Sequence, residues 1–411
     1  MPENLQSIQI HKNPTPEPVF LTLPASKSES NRALIIEALA GEKDTILNLS
    51  NARDTRILDR LLKSRQKTLD VMDAGTTMRF LTAFLVVTNQ EKILTGTKRM
   101  CQRPIGILVE ALREIGAVIE YTDQPGYPPI HIKHFEFNGK FQISLRGDVS
   151  SQYISAMLMI APVLEKGLLL TLTGEIGSRP YIEMTLGLMK HYGIKSRWEG
   201  NKIHIPHQKY IPASYRVNPD WSGASYWYSV VALAEKSRVE LAEFKKQSLQ
   251  GDREIETIMD KLGVKSTFQP SGLILTKQPH ASGIEYDFRD CPDLVQTVAV
   301  TCAAKGIAGK FRGLESLKIK ETDRILALEN ELSKIGAYLR EVKTGEWKLI
   351  PSEINKLPAE VEFETYDDHR MAMAFAPLAT RMHVRIKNPS VVDKSYPSFW
   401  SDFQKLGFKI H

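Results

Sequence analysis

The sequence predicts an α/β protein of two domains, each built from three repeats of roughly 70 residues. Three observations carry that prediction. The 411 residues exceed one ordinary core and suggest about two or three domains. Glycines recur behind amphipathic stretches and ahead of β-prone runs. Short polar turns recur, in the same period, ahead of strongly apolar helices.

The first repeat opens at the turn ASKSESN (25–31) and continues into RALIIEALA. Between Leu62 and Asp73 only KSRQKTLDVM remains, with no glycine stop and no room for a strand pair, so this repeat reads as truncated. The second runs from DAGTT (73–77) and MRFLTAFLVV to Ile115-Gly116-Ala117-Val118. The third runs from GDVSSQ (147–152) and YISAMLMIAPV to Tyr192-Gly193-Ile194. The fourth runs from PDWSGAS (219–225) and YWYSVVALA to Leu262-Gly263-Val264. The fifth joins RDCPD (289–293) and LVQTVAVTCAA to Ile335-Gly336-Ala337-Tyr338. The sixth joins DDHR (367–370) and MAMAFAPLAT to Leu406-Gly407-Phe408. Stretches such as PIGILVEALREIG and TDRILALENELSKIG are amphipathic helices stopped by a glycine, with a strand beginning at once behind it. The six apolar helices lack a polar face, which marks them as buried, three to a core. Each starts at a Ser/Thr/Asp/Asn turn, where unpaired N–H groups and roughly half a positive charge favour anions.

Composition narrows the function. At 42% hydrophobic and 25% charged the chain is globular, not disordered, collagenous or coiled-coil. No run approaches a membrane span. The opening MPENLQSIQIHKN lacks a basic region followed by an apolar stretch, so a cytoplasmic protein is expected. Cys101, Cys291 and Cys302 show no metal or redox spacing and read as thiols of a reducing compartment. No metal site and no nucleotide-cofactor motif is indicated. A net charge of +6 suits an anionic small substrate, and no basic stripe with interleaved aromatics points to nucleic acid.

Two turns carry anion chemistry on their own residues. Around Lys27, the run ASKSESNR places Lys27, Ser28 and Arg32 at one helix start, where cations and a hydroxyl can meet an anion. The run DAGTT lets backbone N–H groups approach a carboxylate or phosphate at Gly75. Neither is a P-loop, and each alone is equally a capped helix with surface cations.

Taken in order, S-K-S-x-S-N-R-A-L, A-G-T-x-M-R, R-P-I-G, S-S-Q-Y-I-S-A, K-E-T-D-R and D-D-H-R-M-A-M resemble the 5-enolpyruvylshikimate-3-phosphate (EPSP) synthase family, the 3-phosphoshikimate 1-carboxyvinyltransferases. The resemblance runs from about Leu21 to about Phe403. It implies the two-domain enolpyruvyl transferase fold: three βαβαββ units per domain, arranged like an inverted α/β barrel, with helix N-termini facing a cleft. It places residues 1–22 and 219–411 in one domain and 23–218 in the other. It implies transfer of the enolpyruvyl group of phosphoenolpyruvate (PEP) to the 5-hydroxyl of shikimate 3-phosphate, with release of phosphate, by a cytoplasmic monomer without cofactor.

The same resemblance implies the site. Lys27 would meet both substrates and take part in proton transfer. Shikimate 3-phosphate would be held by Ser28, Arg32, Ser150, Ser151, Gln152, Ser178, Tyr181, Asp293, Lys320 and Ser316, the last standing where the family carries Asn. PEP would be held by Gly75, Arg103, Gln152, Arg324, Arg370 and Lys394. Asp293 would accept the hydroxyl proton, and Glu321 would donate to the PEP methylene, three residues from Arg324 on one helical face. His369 reads as a structural hydrogen bonder. Asp73 stands where the family commonly has Asn, and Phe80 where it often has Pro; Asp73 would set a negative charge near PEP. Two rivals differ in sequence. UDP-N-acetylglucosamine enolpyruvyl transferases begin with Lys-Asn and carry a reactive loop cysteine, whereas here Lys27-Ser28 stands first and Cys101 lies just ahead of Arg103. A nucleic-acid binder on the same fold would show a steep salt dependence.

Overall fold

The computed structural model of the chain describes residues 6–42, 44–148 and 150–411. Residues 6–26 and Asn218–His411 form one compact unit, called the split unit here; Lys27–Val217 form the other, the continuous unit.

Each unit holds three open sheets. The recurring sheet has a parallel pair extended by two antiparallel strands. In the continuous unit Thr68–Asp70 runs parallel to Lys92–Thr95, which continues antiparallel through Ile130–Phe135 to Ala117–Tyr121. The order repeats in Gln142–Arg146, Leu168–Thr173, Lys202–Ile205 and Arg197–Glu199. The truncated first repeat leaves only Ile46–Leu47 beside Tyr215–Arg216. In the split unit the same order appears in Gly283–Asp287, Ala308–Arg312, Glu346–Ile350 and Tyr338–Lys343. It appears again in Val19–Leu21, Arg238–Ala242, Gly272–Lys277 and Val264–Gln269.

The parallel pairs need a crossover, and the apolar helices supply it. Gly75–Val87, Ser151–Ile160, Trp221–Leu233, Val295–Lys305 and His369–Phe375 are those helices, while the sixth, Lys27–Ala40, precedes the pair Ile46–Leu47 and Tyr215–Arg216. Every residue of Val295–Lys305 and His369–Phe375 is buried, and only Ser222 escapes burial in Trp221–Leu233. Strands instead alternate, as in Gln142–Arg146 and Glu360–Phe363, with one face buried and one in water. Helices therefore make the interior and sheets the outer layer, which is the inverted arrangement. Where helices touch, small hydroxyls satisfy each other: Ser229 with Thr301 at 2.8 Å and Ser225 with Thr297 at 3.2 Å.

All five stop glycines lie at positive φ, from 74° at Gly336 to 113° at Gly116. A strand follows four of them. Behind Gly407 the predicted strand is reduced to one antiparallel bridge, Ile410 with Ile10, flanked by Gln9 N–H to the His411 carbonyl at 2.8 Å and His11 N–H to the Lys409 carbonyl at 2.9 Å, while Ser7–Ile10 also pairs with His383–Lys387. No helix is long and apolar enough to cross a membrane among the described residues.

Candidate functional site

In the continuous unit the polar helix starts are wired to one another. Lys27, the first residue of its helix, donates to Asp54 at 3.3 Å. The hydroxyl of Thr77 donates to the Asp54 carbonyl at 3.3 Å, and the amide of Gln152 donates to Thr76 at 3.1 Å. Ser150 caps its helix by accepting from Gln152 N–H, as a capping turn should. Gly75 opens the second helix with no side chain, and the space is taken: a Cβ there would lie 2.7 Å from Arg103 Nη1 and 2.8 Å from Arg79 Nη1.

Arg103 is 7% exposed, and its Nε has no hydrogen-bond partner. No carboxylate among the described residues pairs with it. A buried guanidinium without a counter-charge is costly, so this geometry suits an incoming anion. The backbone behind it is clamped, because the Pro104 carbonyl accepts from Arg79 Nη2 at 3.0 Å and from the Tyr153 hydroxyl. The helix starts at Gly106, with Ile105 at its N-cap, so Pro104 is not in the first turn as the sequence suggests.

Arg32 is deeper. It donates to Thr185 at 2.7 Å, Ser155 at 3.0 Å and the Ser28 carbonyl at 2.9 Å, between the rings of Phe80 and Tyr181 at 5.4 and 5.8 Å. Burial lowers its pKa to about 10, still charged at neutral pH. Ser178 sits at the N-cap of Arg179–His191 in the left-handed region without a capping bond. Asp73 is not left as bare charge: Arg53 Nη2 lies 2.9 and 3.0 Å from its two oxygens.

In the split unit one arginine gathers the carboxylates. Arg324, 2% exposed, donates to Asp368 at 2.6 Å, Glu321 at 2.8 Å and Asp293 at 2.9 Å. Arg370 Nη2 donates to the other Asp293 oxygen at 2.8 Å, and Lys394 lies 3.6 Å from Glu321. Burial pushes the Asp293 carboxyl up, but Arg370, Lys320 and Arg324 outweigh it and hold the group well below the usual carboxylate range. Asp293 belongs to the short turn Pro292–Leu294, and the helix cap position is Leu294, so the group is not spent on capping. Ser316 lies on the turn Glu315–Ile319 and makes no side-chain hydrogen bond among the described residues.

Glu321 departs from the sequence expectation. It does not share a helical face with Arg324, because Asp323 caps Ile325 and Leu326 N–H at 3.1 Å and fixes the helix start at Arg324. The ion pair survives with Glu321 on the preceding bend. His369 is buried at its helix start, 3.6 Å from Asp368.

A profile of the family described as EPSP synthase (3-phosphoshikimate 1-carboxyvinyltransferase) matches residues 57–403. A 3-phosphoshikimate 1-carboxyvinyltransferase of Bacteroides fragilis (strain YCH46) is 47% identical over 95% of this chain and 95% of its own. One of Haemophilus influenzae (strain ATCC 51907 / DSM 11121 / KW20 / Rd) is 35% identical over 95% and 96%. The chain belongs to the EPSP synthase family. A solved EPSP synthase from Acinetobacter baumannii, 20% identical, superposes on 99% of this chain and 100% of its own with a TM-score of 0.78, which fixes the shared two-domain α/β fold.

Within the EPSP synthase fold, the motif residues Lys27, Gly75, Ser150 and Gln152 fall in one group linked through Asp54, Thr76 and Thr77, with Arg103 packed against Gly75, and Asp293, Glu321, Arg324, Arg370 and Lys394 fall in another. Sequence reasoning missed Asp54, Arg53, Arg79 and Tyr153. Arg79 was within sight, as the last letter of A-G-T-x-M-R. It also missed Asp252, a buried carboxyl that accepts from Ser222 and whose Oδ1 has no partner.

Proposed function

We propose that the two bonded groups carry PEP and shikimate 3-phosphate through enolpyruvyl transfer in the shikimate pathway. The observation that carries the reading is the Arg324 hub, which holds a would-be proton acceptor, Asp293, and a would-be donor, Glu321, on one buried cation. Glu321 protonates the PEP methylene. The 5-hydroxyl of shikimate 3-phosphate attacks the cation-like carbon and passes its proton to Asp293. A new C–O bond forms; the tetrahedral intermediate then breaks its C–O bond to phosphate while its methyl group gives a proton back to Glu321, which restores the C=C bond as the enol ether.

Asp293 is ionised and so open to a proton, and substrate anions that draw Arg370, Lys320 and Arg324 away from it would strengthen it as a base. Glu321 must hold a proton to donate one. PEP anions placed on Arg324 and Lys394 draw those cations away from Glu321 and raise its affinity for that proton. Arg103, Gly75, Arg370 and Gln152 complete the PEP set; Lys27 and Gln152 meet both substrates. Ser28, Arg32, Ser150, Ser151, Gln152, Ser178, Tyr181, Ser316 and Lys320 serve shikimate 3-phosphate. The same reading makes the protein a cytoplasmic monomer.

The test is phosphate release from PEP that depends on added shikimate 3-phosphate. Asp293→Ala and Glu321→Ala should each lower turnover about a hundredfold or more while shikimate 3-phosphate still binds. Near-normal turnover in either variant removes that residue from the chemistry. Turnover with UDP-N-acetylglucosamine in place of shikimate 3-phosphate would overturn the substrate assignment.

A further inference from the structure

We propose that Arg53 is a charge-balancing, positioning residue for the PEP turn, cancelling through Asp73 a negative charge that this chain carries two residues ahead of Gly75. The inference rests on the reading that Gly75 and Arg103 receive PEP.

Arg53 opens the helix Arg53–Leu62, and its Nη2 faces both oxygens of Asp73 at 2.9 and 3.0 Å. Its Nε is buried without a partner, and the single positive charge of the guanidinium offsets the single negative charge of Asp73. The next residue, Asp54, holds Lys27 at 3.3 Å, and its carbonyl accepts from Thr77 at 3.3 Å. One helix start therefore braces two candidate ligand segments with opposite charges placed side by side.

The chemistry explains why the brace is needed. Two residues reach at most roughly 7 Å, so the Asp73 carboxylate lies near the Gly75 turn against which Arg103 packs. An uncompensated carboxylate there repels a multiply charged anion. An amide at position 73 would be neutral and need no counter-charge. In this chain Arg53 and Asp73 together present what a neutral amide presents alone.

The full-length enzyme tests this by steady-state kinetics in both substrates. Arg53→Met should raise KM for PEP roughly three- to thirtyfold, with kcat and KM for shikimate 3-phosphate within about twofold. That defect should shrink as ionic strength rises, which a merely loosened fold would not do. Arg53→Lys should keep the wild-type value. Asp73→Asn should hold KM for PEP at or below wild type, and Arg53→Met with Asp73→Asn should return it to within about twofold. Arg103→Met is the control for the underlying reading. If it leaves KM for PEP unchanged, the turn is not the PEP site and the proposal falls with it. If it raises that KM while Arg53→Met does not, or if the double variant stays as poor as Arg53→Met, charge balance is overturned on its own.

Discussion

Gly75 shows how a missing side chain can set a site. Its absent Cβ leaves space for the Arg103 and Arg79 guanidinium groups within 2.7–2.9 Å. Gly75→Ala must push at least one of them aside. The expected outcome is an increase of about tenfold in KM for PEP with kcat largely kept, since one aligned charged hydrogen bond is at stake. An unchanged KM would show that the guanidinium groups move freely. Asp252 supplies a second residue-scale prediction. Burial, then the charge of Asp293, pushes its pKa up to about 7, against the pull of Arg370 and Ser222. A carboxyl with a raised folded pKa binds more protons folded than unfolded. Its penalty is therefore absent below about pH 4, grows as pH rises towards 7 and is full above that. Asp252→Asn should gain stability over wild type across that window, by about 1–4 kcal/mol at pH 8. Urea unfolding at a series of pH values measures it; a difference that is flat with pH would refute the buried charge. Arg103 and Lys27 were legible because they sit inside motifs. Asp54 and Asp252 were not, because their meaning lies in partners that only folding brings close: Lys27, 27 residues away, and Ser222, 30 away.

At the scale of elements, local signals read well and distant pairings did not. The stop glycines and the all-round apolar helices depend on nearby residues, so their positions followed from the sequence. The strand expected behind Gly407 is reduced to a single bridge, Ile410 with Ile10, and that partner comes from the far end of the chain, where local signals do not reach. The helix starts at Gly106 and Arg324 were misplaced for a related reason. Caps compete, and Asp323 takes the N-cap role that left Glu321 outside. That cap carries a prediction. Asp323→Ala removes two hydrogen bonds at 3.1 Å and should destabilise the Arg324–Ser333 helix by about 1 kcal/mol. Hydrogen exchange at Ile325 and Leu326 should accelerate about fivefold, with the remote Gly75–Val87 helix unaffected. Unchanged protection at both amides would mean that the helix start is fixed by the Arg324 ion pairs instead.

At the scale of the molecule, the continuous unit is an insertion. Val19–Leu21 runs parallel to Arg238–Ala242 in one sheet, and the crossover between them contains the whole of Lys27–Val217 before Trp221–Leu233 completes it. The chain leaves and re-enters the split unit at neighbouring points. Ser26 N–H donates to the Asn218 carbonyl at 2.8 Å, and Ala25 bridges Pro219. Ile46–Leu47 and Tyr215–Arg216 likewise bring the two ends of the continuous unit together. Insertions of this kind are tolerated because closing a longer loop costs little once its ends are adjacent. The reverse operation should then succeed. Replacing Lys27–Val217 by a short glycine-containing turn should leave a split unit that folds, keeping its three sheets and the apolar cluster around Trp227, Phe399 and Phe403. Lys27–Val217 expressed alone should fold as well, on its own buried helices. Each fragment should unfold cooperatively in urea by far-UV circular dichroism, and neither should release phosphate from PEP if the proposed roles hold, because that proposal draws on Arg103 in one and on Asp293, Glu321 and Arg324 in the other. A continuous unit that stays unfolded alone would show that its core depends on the rest of the chain. Turnover by either fragment would overturn the proposed assignment.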